Sequence, residues 1–150
     1  MPAVTTDSPA FEITADGDPA IGAALLRGLF DHNRTFVGPD DTRPLEVLVR
    51  DPVTGAVRGG LNGRTRYSWL YVDNFFLPDD LRGGGLGARL LAAAEAEART
   101  RGCIGAYLDT NSFQAPAFYE KQGYVRFGTL ADYPAPGQAK FYYAKRFETS

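Results

Sequence analysis

The chain has 150 residues, of which 44% are hydrophobic and 13% aromatic, and its formal net charge is −2 at pH 7. This length predicts a single domain over residues 1–150, and the mixed, slightly acidic charge is untypical of proteins that neutralise nucleic-acid phosphates. One cysteine and one histidine exclude an internal disulfide and a metal site built from His and Cys ligands alone. The chain begins without the basic and apolar regions of a secretion signal, and no apolar run approaches about 20 residues, so we expect a cytoplasmic protein without a membrane span.

The first third of the chain predicts a loosely held segment at residues 1–10 and a short strand at residues 11–14, where apolar and polar side chains alternate. Asp18 followed by proline is a typical helix start, and the apolar stripe behind it predicts a helix to about residue 30. Residues 31–44 keep no sustained period and are predicted to form a loop that includes at most one helical turn.

Three strands follow and form an antiparallel meander over residues 45–50, 56–66 and 67–76. Side chains alternate along a strand, so the third strand should present two faces. The expected faces are Tyr71, Asp73 and Phe75 on one side, and Val72, Asn74 and Phe76 on the other.

The second half of the chain alternates helices and strands. The predicted elements are a glycine-rich loop at 78–87, a helix at 86–101, a strand at 103–108, a helix at 117–122 behind Pro116, and strands at 124–130 and 140–147. The strand at 103–108 is continuously apolar, which is typical of a strand that runs parallel to a neighbour.

The glycine-rich loop lies between a strand and a helix, in the order Arg82-Gly83-Gly84-Gly85-Leu86-Gly87-Ala88. Main-chain amides at a helix start form a concave donor surface that suits a phosphate or diphosphate. No Lys-Ser/Thr pair follows the glycines, which excludes a nucleoside-triphosphate loop. The loop also matches the G-x-G-x-x-A dinucleotide fingerprint, with Asp109 21 residues further on. In a dinucleotide fold the strand runs directly into the first glycine and opens a parallel sheet. Here residues 78–82 separate the strand from Gly83, and an antiparallel meander precedes the loop, so an NAD(P)-dependent oxidoreductase is the less favoured alternative.

Two segments in this order resemble signatures of the GCN5-related N-acetyltransferase (GNAT) superfamily. Arg82-x-x-Gly85-x-Gly87 before an amphipathic helix is similar to that family's pyrophosphate loop, and residues 115–124 resemble its A-x-x-x-Y-x-x-x-G-F/Y segment. The order of elements from residue 11 to residue 147 is similar too, with a strand and two helices ahead of the meander. The resemblance implies an α/β fold with a mixed, mostly antiparallel sheet of six to seven strands, flanked by helices and split in a V at its parallel pair.

The resemblance also implies a function, acetyl transfer from acetyl-CoA to a primary amine by direct attack in a ternary complex. The residues that would bind the coenzyme are Phe76, Leu77, Arg82, Gly83, Gly84, Gly85, Leu86, Gly87, Ala88, Phe118 and Tyr119, together with either Asn111 or Ser112. The family usually has Asn at the position of Ser112, and Asn111 lies one residue earlier, so either side chain could make that contact.

Tyr119 would protonate the departing thiolate in such a transfer, although an aromatic residue on a helix face is also a common packing residue. The amine must be neutral to attack, so a base is needed. The resemblance places family bases on the strand before the loop, which makes Asp73 the first candidate. Glu46 on a neighbouring strand and a chain of water molecules are the other candidates.

The acceptor is less well defined by the sequence. His32, Glu46 and Tyr71 are candidate substrate residues, because the resemblance places their segments near the acceptor. Several acidic residues in those segments favour a small cationic amine, or they form a solvated surface: Asp31, Asp40, Asp41, Glu46 and Asp73. A protein or peptide N-terminus, and a non-catalytic acyl-CoA-binding protein, are further alternatives. A homodimer through the last two strands is possible by resemblance, and no nucleic-acid or membrane partner is expected.

Overall fold

A computed structural model describes residues 9–149, and its chain divides into two compact units, Met1–Pro39 and Asp40–Ser150. The described part of the first unit contains one helix, α1 (Pro19–Val37). The Asp18 carboxylate caps it by accepting a hydrogen bond of 2.9 Å from the Ala20 amide.

Helix α1 differs from the prediction in two ways. It continues seven residues past residue 30 because residues 31–37 contain no proline or glycine, and it ends at Gly38, whose φ is 81°. Residues 11–14 form no strand, since no other strand of the described chain pairs with them. The predicted strand and two helices ahead of the meander are therefore replaced by one long helix. Most of the predicted loose segment at 1–10 lies outside the described residues.

The second unit contains one six-stranded sheet in the spatial order β1-β2-β3-β4-β6-β5. Its strands are β1 (Arg43–Arg50), β2 (Val57–Arg66), β3 (Trp69–Phe76), β4 (Gly105–Asn111), β5 (Val125–Ala131) and β6 (Ala139–Arg146). Every neighbouring pair is antiparallel except β3 and β4, which run parallel. The mixed, mostly antiparallel sheet with one parallel pair is thus confirmed.

Helices α2 (Leu86–Thr100) and α3 (Pro116–Lys121) connect the later strands, and a single 3₁₀ turn (Asp79–Leu81) precedes the glycine-rich loop. Helix α2 buries one stripe against the sheet. The core holds, among others, Leu61, Leu70, Leu90, Leu91, Ala94, Ala98 and Leu108. We call the opposite side of the sheet, which carries Glu46, Asn62, Tyr71, Tyr107 and Asp109, the outer face.

The parallel pair separates part-way along its length. Pairing between β3 and β4 runs from Trp69↔Gly105 to Val72↔Leu108 and then stops. Residues 73–76 of β3 therefore have no strand partner on the β4 side, while β4 stays paired with β6 as far as Asn111. This divergence is the predicted V-shaped split, and it exposes main-chain groups of β3 inside the sheet.

A β-bulge at Asp73 reverses the side-chain alternation of β3. Asn62 pairs with Asn74 but Gly63 pairs with Val72, which leaves Asp73 without a partner on β2. An extra residue shifts every later side chain to the other face. Phe75 consequently packs on the core side, 5.9 Å from the Phe118 ring. The predicted faces are thus wrong beyond Val72.

Among the residues that the structure describes, no helix is long and apolar enough to cross a membrane.

Candidate functional site

The glycine-rich loop leaves its main-chain amides unused. Within residues 9–149, no group accepts a hydrogen bond from the amides of residues 83–88. Gly83 and Gly85 adopt φ angles of 83° and 81°, a left-handed conformation that strains any residue with a Cβ atom. A Cβ atom at Gly83, Gly84 or Gly85 would meet nothing within 4 Å, so this donor surface is open. The donor surface lies at the N-terminus of α2, which is the positive end of the helix dipole.

Two arginines hold the loop in place. The Arg82 Nε donates 2.7 Å to the main-chain oxygen of Leu77, and its Nη1 lies 3.3 Å from the Asp79 carboxylate. Arg58 on β2 forms an ion pair of 2.7 Å with Asp80. Arg82 therefore turns back toward the end of β3 and occupies one main-chain group of the predicted coenzyme site.

The split opens beside a cavity on the outer face. Phe76 at the end of β3 is 59% exposed, and it lines a cavity of about 560 Å³ together with Glu46, Asn62 and Asn74. The Asn74 amide and side chain both donate to Asn62 Oδ1, at 3.1 and 3.0 Å. The structure thus places Glu46 in the same cavity as the end of β3.

Tyr119 on α3 is 7% exposed and belongs to an aromatic cluster. Its ring centroid lies 5.1 Å from Phe118, 5.9 Å from Tyr124 and 6.3 Å from Tyr143. The Tyr119 hydroxyl makes no hydrogen bond with any residue of the described chain. Burial, followed by the nearby negative charge of Asp109, raises the pKa of Tyr119 to about 12, so the phenol keeps its proton at neutral pH.

Asn111 and Ser112 occupy different environments at the end of β4. The Asn111 Oδ1 is buried and has no hydrogen-bond partner in the described chain. The Ser112 hydroxyl instead accepts 3.0 Å from the Ala139 amide, and the Ser112 amide donates 2.7 Å back to Ala139. A buried acceptor without a partner costs stability, and a ligand that enters the split could satisfy it. Ser112 is already used in the structure.

A polar cluster that the sequence analysis did not assign bridges the mouth of the split. Tyr71 on β3 donates 2.9 Å to Asp109 on β4, and Lys140 on β6 lies 3.6 Å from the other oxygen of that carboxylate. Sequence reasoning considered Asp109 only as a ribose-binding acid. Its place opposite Tyr71 depends on the parallel register of β3 and β4, which alternation within one strand does not reveal.

Two other predicted residues, Asp73 and His32, lie in different units of the chain. Asp73 is exposed in the bulge, and its charge is a minor cause of the raised Tyr71 pKa. His32 lies in α1 of the first unit, where its ring is 5.6 Å from the Phe36 ring. The acceptor role of His32 therefore stays a prediction.

Comparison with known proteins gives concordant matches. The model of the Acetyltransferase (GNAT) family matches residues 11–124. An acetyltransferase of Agrobacterium fabrum is 38% identical over 137 residues, which are 91% of this chain and 98% of that protein. A blasticidin-S acetyltransferase of Streptomyces morookaense is 45% identical over 100 residues, 65% of this chain and 73% of that protein. The crystal structure of a candidate acetyltransferase from Agrobacterium tumefaciens superposes with a TM-score of 0.85 at 37% identity, covering 93% of this chain and 100% of that one.

Proposed function

Because this chain belongs to the acetyltransferase (GNAT) family, we propose that it transfers the acetyl group of acetyl-CoA to the primary amine of a small, cationic molecule. One observation carries the proposal: the open amides of residues 83–88, unused within the described chain, lie at the start of α2, in the connection that follows the strand that leaves its neighbour at the split. Amides at a helix start bind a diphosphate, and an unpaired strand edge binds the amide groups of a pantetheine arm.

The residues of this chain fit that coenzyme. The loop amides and the positive end of α2 would hold the diphosphate. Main-chain groups of Phe76 and the Leu77 amide would pair with the arm, since the Leu77 oxygen already accepts a hydrogen bond from Arg82. The buried Asn111 Oδ1 would accept a hydrogen bond from an amide of the arm, in preference to Ser112, whose hydroxyl already has a partner. Phe118 packs beside the loop, because its ring lies 3.5 Å from the position that a Cβ atom of residue 87 would occupy if Gly87 were replaced.

Acetyl-CoA supplies an activated acyl group: a C–N bond forms at the thioester carbonyl, the C–S bond breaks, and the sulfur gains the proton that the amine gives up. Tyr119 supplies a proton to the departing sulfur, since burial keeps its phenol protonated. An amide at the end of β3 would polarise the carbonyl oxygen. Cys103 is buried and burial raises the pKa of its thiol, which argues against a covalent acetyl carrier and for direct attack.

We propose that the base that removes a proton from the ammonium group of the acceptor is one of two carboxylates, or a water molecule. Glu46 and Asp73 are both exposed, but Glu46 lines the cavity beside Phe76, whereas Asp73 lies in the bulge at the mouth of the split. The cavity position favours Glu46, acting directly or through a water molecule. Carboxylates of the outer face, Asp109 included, would also attract a cationic acceptor.

The test is a thermal-shift titration with acetyl-CoA, followed by a free-thiol assay over a panel of amines. The panel contains polyamines, amino acids, aminoglycosides, peptides and, because of the Streptomyces relative, blasticidin S. We expect stabilisation by acetyl-CoA and thiol release with small cationic amines. NAD(P) serves as the comparison ligand. Stabilisation by NAD(P) alone, or coenzyme binding without thiol release from any amine, would contradict the proposal.

A further inference from the structure

The outer face carries a second cavity, of about 250 Å³, toward the paired end of β3 and β4. Its lining residues are Arg64, Arg66, Tyr67, Trp69, Tyr71 and Tyr107. An apolar cavity of roughly 150 Å³ already admits a benzene ring, so this one accommodates a single substituted ring. None of these six residues is a predicted coenzyme-binding residue, although Tyr71 also belongs to the cluster at the mouth of the split. The cavity therefore adjoins the predicted coenzyme site without sharing its residues.

Aromatic rings form the walls of this cavity. Tyr107 meets Trp69 edge-on at 6.2 Å between centroids and lies 4.9 Å from the tilted Tyr71 ring. The Trp69 ring lies over Gly105, where an added Cβ atom would come within 2.5 Å of it. This ladder of rings offers flat surfaces against which a planar ligand can stack.

Two polar groups in this cavity have no hydrogen-bond partner in the described chain. The Arg64 guanidinium lies 4.8 Å from the Tyr71 ring centroid and forms no hydrogen bond or ion pair with residues 9–149. The Tyr67 hydroxyl is buried and also has no hydrogen-bond partner in the described chain. Both groups are donors, and a guanidinium pairs with a carboxylate in bidentate geometry. A second guanidinium, that of Arg66, lines the cavity while donating 2.7 Å to Thr42.

Charge is ordered along the outer face. Arg64 on β2 lies opposite Tyr71 on β3, and Tyr71 lies opposite Tyr107 on β4. Asp73 lies two residues after Tyr71, and Asp109 lies two residues after Tyr107. Two residues of strand span about 7 Å. A ligand with a negative end and an ammonium end would therefore lie in one orientation, with its amine toward the split.

We propose that this cavity binds a planar ring that bears a carboxylate, so that the preferred acceptors are aromatic compounds with a carboxylate at one end and a primary amine at the other. The Arg64 guanidinium and the Tyr67 hydroxyl bind the carboxylate, and Tyr107 and Trp69 stack on the ring. Asp73 faces the ammonium, because Lys140 already forms an ion pair with Asp109. The inference rests on the proposed acetyl transfer to a primary amine. It replaces the small cationic acceptor of that proposal by a zwitterion, in which only the end that reacts carries a positive charge.

Trp69 is the only tryptophan of the chain, so its fluorescence reports occupation of the cavity without any coenzyme. The probe is 4-(aminomethyl)benzoate. One comparison compound, 4-methylbenzylamine, lacks the carboxylate, and the other, 4-(aminomethyl)cyclohexanecarboxylate, lacks the planar ring. We expect a saturable change in Trp69 fluorescence, with a Kd for the probe about tenfold lower than for 4-methylbenzylamine, since a charge-assisted hydrogen bond contributes at least that factor. The Kd for the cyclohexane compound should be about threefold higher than for the probe, because that compound keeps the carboxylate and loses only the aromatic stacking.

Variants separate binding from folding. Arg64→Gln should remove the advantage of the probe over 4-methylbenzylamine, whereas Arg43→Gln, an exposed arginine outside the cavity, should retain it. Tyr67→Phe should weaken binding of the probe without lowering the Tm, because no residue of the described chain forms a hydrogen bond with the Tyr67 hydroxyl that the variant would lose.

Equal affinity for the three compounds, or an Arg64→Gln variant that keeps the preference, overturns the inference. A thiol-release assay with the same compounds and acetyl-CoA tests the proposed function independently. Thiol release from other amines without any preference for the probe would count against the cavity alone. Binding of the probe without thiol release from any amine would support the cavity and count against acetyl transfer.

Discussion

The Tyr71 hydroxyl donates a hydrogen bond of 2.9 Å to Asp109 Oδ2 at the point where β3 and β4 stop pairing. Lys140 approaches the other carboxylate oxygen from β6, at 3.6 Å, so one carboxylate joins side chains of three strands. Burial, followed by the hydrogen bond and the charge of Asp109, raises the pKa of Tyr71 from the usual 10.0 to about 12.

This contact predicts a loss of stability in alkali. A folded-state pKa above the unfolded value means that the native protein holds the proton more tightly, so the stabilising contribution is complete below about pH 10 and is lost as the pH rises toward 12. Tyr71→Phe should flatten the fall in the free energy of unfolding over that range, and Asp109→Asn should flatten it partly. Urea unfolding at several pH values measures the slope. A Tyr71→Phe slope equal to that of the unaltered protein would contradict the prediction.

Replacing Tyr119 by phenylalanine tests the proposed general acid. We expect kcat to fall about 100-fold, within the usual contribution of a positioned acid, while the Kd for acetyl-CoA changes little. Tyr143→Phe is the matched control, because it removes a hydroxyl from the same aromatic cluster and that hydroxyl bonds to Glu120 instead. Free-thiol kinetics and coenzyme titration separate the two quantities. If Tyr119→Phe keeps its full kcat, Tyr119 has only a packing role.

Gly85→Val should weaken coenzyme binding through the loop. Gly85 has a φ of 81°, so a β-branched residue there strains the backbone that presents the amides. Gly137→Val is a control with the same φ of 81° and equally open surroundings, in the loop before β6. Both variants should lose similar stability, but only Gly85→Val should raise the KM for acetyl-CoA. An equal rise in both variants would show that the effect is general destabilisation.

Substitutions at Asn111 and Ser112 should have separate effects, one on coenzyme binding and the other on the free energy of unfolding. Asn111→Ala should raise the Kd for acetyl-CoA about fivefold, the contribution of one neutral hydrogen bond. It should not lower the free energy of unfolding, because it removes a buried acceptor that has no partner in the described chain. Ser112→Ala should lower the free energy of unfolding by about 1 kcal/mol, because the Ala139 amide loses its acceptor, without affecting the coenzyme. Isothermal titration and urea unfolding measure the two effects, and the reverse pattern would exchange the two assignments.

A buried carboxylate on α2 depends on two partners. Glu95 is 8% exposed, accepts 2.8 Å from the Tyr124 hydroxyl and lies 2.8 Å from the Lys145 ammonium on β6. Lys145→Met should lower the free energy of unfolding by about 2 kcal/mol, because it leaves a buried charge without a counter-ion. Adding Glu95→Gln to that variant should recover part of the loss in urea unfolding. A double variant less stable than Lys145→Met would argue that the carboxylate does not depend on the lysine.

Local signals predicted the elements around the loop well. Pro116 and Gly123 bound the short helix α3 as expected, and the apolar run after Gly102 became the strand that runs parallel to β3. These features follow from backbone preferences of proline and glycine and from burial of apolar strands, which act over a few residues. The prediction of a strand at residues 11–14 was wrong, because four residues with alternating side chains form a strand only where a partner strand is available.

The sequence by itself determined the glycine-rich loop, the helix behind it and the family resemblance, because main-chain freedom at Gly83 and Gly85 is a property of those residues. Tertiary structure alone decided the bulge at Asp73, which turned Phe75 into the core. It also decided that the side-chain oxygen of Asn111, rather than the Ser112 hydroxyl, has no hydrogen-bond partner within residues 9–149, and that Tyr71 meets Asp109. These relationships depend on the register between strands distant in the chain, and register is set by the packing of the whole sheet rather than by any local preference.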